Sequence, residues 1–174
     1  YRFFHWELEF PEVFFGTRVG TTQIIERLEG AGFDAVVGNP PYDEPSTQQS
    51  GTPEAVKAFF ASYQDYARFK SGRLNLYRLF IIRGLEYARS GGALSYITPM
   101  SLLADEFSRP TREHLLFEHT VMAVEAFPQK DDPHDRVFLE AKLSTCIFVA
   151  RKLSNTGIKM AVRTHPGRLL DEGS

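Results

Sequence analysis

At 174 residues, 43% hydrophobic and 24% charged, the chain has the composition of a globular protein with material for one domain and a sizeable core. Its 20 basic and 22 acidic residues leave a net charge of −2. That excludes a uniform basic coat for nucleic acid but not a local basic groove, because placement rather than total charge decides binding. The single cysteine, Cys146, excludes an internal disulfide and fits a reducing compartment, so the cytoplasm is the expected location. It lies in the apolar run Thr145-Cys146-Ile147-Phe148-Val149 and reads as core packing. No window approaches the ~18 apolar residues of a membrane-spanning helix, and no signal peptide is visible. The chain opens on Tyr1 in what reads as mid-protein sequence, so it is expected to be part of something longer.

Residues 1–15 are aromatic, with Phe3, Phe4, Trp6, Phe10, Phe14 and Phe15, and are expected to pack on the domain without a clear period. Thr21–Leu28 reads as a short helix stopped by Gly30 and Gly32. Phe33-Asp34-Ala35-Val36-Val37 reads as a buried strand running into Gly38-Asn39-Pro40-Pro41-Tyr42. Residues 43–52 are loop-like. Thr52-Pro53-Glu54 opens a helix that carries Val56, Phe59, Phe60, Tyr63 and Tyr66 at helical spacing. A basic turn, Arg68–Arg73, follows. The strongest helix is Leu74–Arg89, with Leu74, Tyr77, Ile81, Leu85 and Ala88 on one stripe and Ser90-Gly91-Gly92 as its stop. Ala93–Ile97 is a strand ended by Thr98-Pro99, and the helical stretch after it is interrupted at Pro110. Val121–Phe127 and Leu143–Arg151 are strands with no helix between them, hence an antiparallel pair, and Ile158–Val162 is a candidate further strand. Strands alternating with helices imply an α/β fold with a mostly parallel sheet covered on both faces, closed on one side by a final antiparallel strand. The pattern reads as half of a doubly wound sheet.

In open parallel sheets ligands sit at the carboxyl ends of the strands, where Asn39-Pro40-Pro41-Tyr42 falls. Its residue types suit a planar amino group. Prolines have no N–H, so the turn offers carbonyl acceptors without competing donors, and two of them stiffen it. Asn39 adds a side-chain carbonyl and Tyr42 an aromatic face. An exocyclic amine on a base is a poor nucleophile because its lone pair is delocalised into the ring. Acceptance of its hydrogens by Asn39 Oδ1 and the Pro40 carbonyl favours a tetrahedral nitrogen able to attack a methyl sulfonium. A plain turn is the alternative, and placement after an apolar strand and a glycine weighs against it.

Gly32–Tyr42 resembles the catalytic motif of N6-adenine-specific DNA methyltransferases of the Asn-Pro-Pro-Tyr class. The likeness continues in Asn75-Leu76-Tyr77-Arg78-Leu79-Phe80, in Gly91–Pro99, and in Arg136-Val137-Phe138 followed by Leu143-Ser144-Thr145. The opening Phe4–Phe14 resembles the lead-in of type IIG restriction-modification enzymes and related phage-defence methylases. The resemblance implies a Rossmann-like methyltransferase sheet, S-adenosyl-L-methionine as cofactor and double-stranded DNA as partner. It also implies that Asn39, Pro40 and Tyr42 are catalytic, and that Pro41 and Phe138 bind the base, Phe138 on the face opposite Tyr42. A core aromatic is the competing reading of Phe138. Asn75 is expected to cap its helix rather than act in catalysis.

A glycine-rich cofactor turn after a strand is missing, because Gly30-Ala31-Gly32 precedes one. Cofactor-binding residues are therefore unassigned. Residues 1–151 are expected to be the substrate half of a catalytic domain and 152–174 a tail or linker. The cofactor loop is expected upstream and a target-recognition region downstream, so the isolated chain is expected to be inactive. His5, His114, His119, His134 and His165 show no metal spacing with Cys146. Asp131, Asp132, His134 and Asp135 read as a solvated loop, and Lys70, Arg73 and Arg78 as solvated charges or phosphate contacts. Two other readings stay open: the same pocket acting on RNA adenine or a protein glutamine amide, and a non-catalytic DNA-binding fragment.

Overall fold

The computed structural model describes residues 4–17, 19–20, 25–42, 58, 62, 64–69, 75–155 and 157–168. Two short strands, β1 (Phe15–Thr17) and β2 (Ile25–Arg27), pair antiparallel as a separate ribbon. The main sheet holds β3 (Phe33–Gly38), β4 (Ala88–Pro99), β5 (Thr120–Phe127), β6 (Thr145–Arg151) and β7 (Ala161–Thr164) in the order β3-β4-β6-β5-β7. β3 and β4 are parallel, β6 runs antiparallel to both β4 and β5, and β7 is parallel to β5. The α/β class and the mostly parallel sheet with an antiparallel strand are as expected. The antiparallel strand, however, does not close one side. It lies between β4 and β5, and a parallel strand follows it in the chain. Its burial fits the place: Thr145, Cys146, Phe148 and Ala150 are 2% exposed or less.

The helix Leu76–Tyr87 crosses between β3 and β4. Tyr77, Ile81 and Leu85 of the predicted stripe are buried against Leu94, Tyr96 and Phe148 of the sheet. Each such side chain taken fully from water contributes about 1.5–3 kcal/mol. Leu74 lies outside the described residues. The helix ends at Tyr87, before the predicted glycine stop. Its last carbonyls are met by a distant side chain, Lys152, whose Nζ donates to the carbonyls of Glu86 (3.2 Å) and Ala88 (2.8 Å). Gly91 does take a left-handed φ of 74°, within an irregularity where β4 comes back into register with β3. Gly32, at φ 136°, is required for another reason: a Cβ there would lie 2.5 Å from the Arg89 amide nitrogen.

Other expectations change locally. The described part of Thr21–Leu28 is strand β2, not helix. Its three residues are exposed, Ile25 by 74%, so a helix there would bury no apolar stripe, whereas pairing with β1 satisfies the backbone. The helix opening at Thr52 falls outside the described residues apart from isolated positions, as does the 43–52 loop. Gln64–Phe69 is a 3-10 helix that buries Tyr66 and Phe69. Pro110 does not interrupt a helix. It sits in the first turn of Arg109–Glu113, where its missing N–H costs nothing, and one π-helical turn, His114–Glu118, follows. The amino-terminal aromatics pack as predicted: Trp6 and Phe10 stack at 5.8 Å, and Phe33 meets Trp6, Phe10 and Phe14 edge-on. No helix among the described residues is long and apolar enough to cross a membrane.

Candidate functional site

The carboxyl ends of β3, β4, β5 and β7 share one rim, and the Asn39–Tyr42 turn leaves β3 directly onto it. The strand delivers the turn because its ladder with β4 holds up to Gly38, opposite Tyr96. A Cβ at Gly38 would come 3.3 Å from the Tyr96 ring, so a side chain larger than hydrogen would press on it. Pro40 is buried, Tyr42 is half-buried, and Asn39 and Pro41 are exposed.

The segment joining β5 to β6, residues 128–144, folds back over this rim. It brings Phe138, Glu140 and Leu143 into one open cleft with Asn39, Pro40, Pro41 and Tyr42, of about 780 Å³. Phe138 is half-buried at this surface rather than part of the core. Its ring meets that of Tyr42 edge-on, centroids 6.1 Å apart and planes at 69°.

Tyr42 is held from three sides. Its hydroxyl donates to the Ile97 carbonyl of β4 at 3.0 Å, and Asn75 Nδ2 donates to its backbone carbonyl at 2.9 Å. Tyr77 meets its ring edge-on at 6.4 Å. Tyr77 is anchored in turn by hydrogen bonds between its hydroxyl and those of Ser101 (3.1 Å) and Ser108 (2.8 Å). Burial, with a smaller contribution from the Cys146 thiol, pushes the Tyr42 hydroxyl up to about 12. Tyr42 is therefore a neutral hydrogen-bond donor at physiological pH and not a base.

Asn75 does cap the Leu76–Tyr87 helix, its Oδ1 accepting a long 3.4 Å contact from the Tyr77 amide. Its reach to Tyr42 was not legible in the sequence: the cap position is a local signal, whereas the Tyr42 carbonyl is 33 residues away. Nor did the sequence single out Glu140 in the cleft, since a charged loop residue carries no such mark.

The remaining candidates lie elsewhere. Asp131 pairs with Lys142 at 2.8 Å and Asp132 accepts from the His134 amide, which makes an exposed loop with its own turn. Arg78 is neither solvated nor free for phosphate: it is 1% exposed and donates to the Phe107 carbonyl. Lys70 and Arg73 lie outside the described residues. His114 and His119 meet Nε2 to Nε2 at 3.3 Å, beside an ion pair of Arg68 with Glu118. Burial, with His114 adding, pushes the His119 imidazole down to about 4, and the Arg68 hydrogen bond holds Glu118 down to about 2. Among the described residues no group of three His, Cys, Asp or Glu side chains is arranged to hold a metal ion. Cys146 is fully buried.

Comparison with known proteins follows the same line. The chain is 28% identical over 130 residues to the modification methylase CviBIII of Paramecium bursaria Chlorella virus NC1A, an alignment covering 74% of this chain and 29% of that relative. The chain thus spans less than a third of the relative's length. Its fold resembles that of a protein of Listeria monocytogenes described as a class I S-adenosylmethionine-dependent methyltransferase. That match has a TM-score of 0.52 and 14% identity, and covers 76% of this chain and 36% of that one. It also resembles DrdV in its complex with DNA, with a TM-score of 0.55 and 12% identity over 78% of this chain and 15% of that one. At these identities the structural likeness is one of fold. The sequence profile of one family matches residues 1–132, three quarters of the chain, and on that match the chain belongs to the Eco57I restriction-modification methylases.

Proposed function

We propose that this chain carries the target-base pocket of an S-adenosyl-L-methionine-dependent DNA adenine-N6 methyltransferase from a restriction-modification or phage-defence system. The observation that carries the reading is the meeting of the Asn39–Tyr42 turn and Phe138 in one cleft at the carboxyl rim of the sheet. Family membership and the fold shared with a DNA-bound enzyme support it.

An adenine swung out of the duplex enters this cleft edge-first. Asn39 Oδ1 and the Pro40 carbonyl accept the two hydrogens of its amine, and the absence of N–H groups at Pro40 and Pro41 removes donors that would compete. Held so, the amine nitrogen loses conjugation with the ring and presents its lone pair. Tyr42 and Phe138 cover the two faces of the base, with Pro41 at its edge. Stacking of this kind contributes roughly 1–3 kcal/mol per base, comparable to the few kcal/mol that flipping costs. Two stacking gaps need about 7 Å between parallel rings. Entry of the base therefore moves Phe138 outward from its edge-on contact with Tyr42.

The cofactor supplies, when bound, a methyl group on a positively charged sulfur. The described residues bear on it only through the amine that Asn39 and Pro40 would hold towards that methyl. No glycine-rich turn among them follows a strand onto the carboxyl rim, so none is assigned to its adenosine or amino-acid parts. The outer edge of β3 is open among the described residues, with Val37 77% exposed, and on this reading it is the edge beside which a cofactor loop would lie. Residues 1–151 then form the substrate half of the catalytic domain, and 152–174 lead towards a target-recognition region. The chain by itself is expected to transfer no methyl group.

The test is tritiated methyl transfer to adenine-unmethylated DNA by the full-length protein, with digestion to nucleosides to identify the product. Asn39→Ala, a change at an exposed position, is expected to leave folding intact. It should slow transfer by about 10²-fold, the scale for removing one preorganised polar group. Equal rates for the two proteins would sink the assignment, and label in RNA or protein alone would move the same pocket to another substrate.

A further inference from the structure

A turn built from Pro40 and Pro41 has a weakness that follows from its usefulness. Lacking two amide hydrogens, it cannot brace itself with backbone hydrogen bonds, and its acceptors keep their aim only if something outside the turn holds it. Among the described residues two bonds do so. One is the Tyr42 hydroxyl on Ile97. The other is Asn75 Nδ2 on the Tyr42 carbonyl at 2.9 Å. The second bond ends on the backbone of the turn, so it fixes main-chain position and not only a ring.

We propose that Asn75 is a positioning residue for methyl transfer, a clamp that sets the Asn39–Tyr42 turn against the amino end of the Leu76–Tyr87 helix. The inference rests on the adenine-pocket reading above. One amide orientation satisfies both of its contacts: Oδ1 faces the Tyr77 amide and Nδ2 faces the Tyr42 carbonyl. The reverse would set oxygen against oxygen and donor against donor. The helix is itself well fixed, because Tyr77 is 1% exposed and bonded to Ser101 and Ser108. Asn75 thus ties a segment short of two amide donors to a rigid element, and the roles of cap and clamp use opposite ends of one amide.

That division makes the roles separable. Aspartate caps a helix as well as asparagine does, and serine nearly so. An aspartate at 75, however, has no donor and turns a carboxylate towards the Tyr42 carbonyl, while a serine hydroxyl is too short to reach it. The experiment compares wild type, Asn75→Asp, Asn75→Ser and Asn39→Ala in the full-length protein. It measures thermal unfolding, together with KM and kcat for methylation of adenine-unmethylated DNA. The clamp requires both Asn75 variants to unfold within a few degrees of wild type and to keep KM for DNA, while kcat falls about tenfold or more, as expected for catalytic groups displaced by a fraction of an ångström to 1 Å. Wild-type kcat in both Asn75 variants, with Asn39→Ala slowed, would leave the pocket standing and overturn the clamp. Loss of folding in both would assign Asn75 to fold stability alone, and overturn it equally. Unchanged kcat in Asn39→Ala as well would remove the pocket reading and the clamp with it.

Discussion

The two ends of β3 are built on opposite principles. At its amino end Phe33 sits among Trp6, Phe10 and Phe14, a contact of rings with rings that needs no particular donor or acceptor. At its carboxyl end the chain becomes acceptor-rich and apolar packing thins out: Asn39 and Pro41 are exposed, and the turn is held by two directional hydrogen bonds. Packing tolerates small shifts with graded cost, whereas a hydrogen bond aimed at a reacting group loses its value over a fraction of an ångström. One end therefore anchors the strand, and in the proposed pocket the other uses the anchorage to aim polar atoms.

Substitutions at the two ends should accordingly separate stability from chemistry. Phe14 is fully buried between Phe33 and Tyr87, with the Arg27 guanidinium 5.4 Å above its ring. Phe14→Ala is expected to destabilise the fold by about 3 kcal/mol or more, the range for emptying a buried aromatic site. Transfer by the protein that remains folded should stay near wild type. Denaturant unfolding read beside single-turnover methylation checks both halves. A Phe14→Ala protein of normal stability but impaired transfer would invert the comparison, and place the aromatic cluster in the chemistry.

How much of this the sequence shows follows the same division. β3 and its turn are legible because a β-branched run meets a glycine and two prolines, all local signals. The long helix is legible from its period, and four members of its predicted stripe, Tyr77, Ile81, Leu85 and Ala88, are buried. What escapes is set by distant partners. The helix stops at Tyr87, where Lys152, far along the chain, donates to the carbonyls of Glu86 and Ala88. The insertion of β6 between β4 and β5 depends on pairing choices that a strand pattern does not encode. Arg78 looks like a surface charge until the Phe107 carbonyl is found beside it. At the site, residue types in the turn are readable, but the bond from Asn75 that holds them is not.

Phe138 sharpens the comparison on the side of the proposed pocket. It is half-buried, on a loop, and touches Tyr42 by its ring edge, so its replacement removes little packing. Phe138→Ala is expected to change unfolding free energy by less than about 1 kcal/mol. Loss of one stacking face should slow methyl transfer about tenfold, the lower part of the range for a base on an aromatic ring. Transfer at the wild-type rate would reduce Phe138 to cleft lining.

The smallest effect belongs to one oxygen atom. Tyr42→Phe keeps the aromatic face and deletes the bond to Ile97, so at neutral pH it should cost about 1 kcal/mol of stability and leave methyl transfer within a few-fold of wild type. Its sign with pH is determined. Burial raises the folded pKa of Tyr42 from the usual 10 to about 12, so between those values the unfolded chain has released its proton while the folded chain retains it. Stability from this group is therefore complete below pH 10 and is lost as pH rises towards 12. The full shift corresponds to about 2.7 kcal/mol, and the partial exposure of the ring reduces this to about 1 kcal/mol after solvent screening. Wild type and Tyr42→Phe, compared by denaturant unfolding at pH 8 and pH 11, should accordingly converge at the higher pH. If instead Tyr42→Phe loses methyl transfer by more than tenfold at pH 8 while folded, the hydroxyl rather than the ring face is what the carboxyl end of β3 presents to the base.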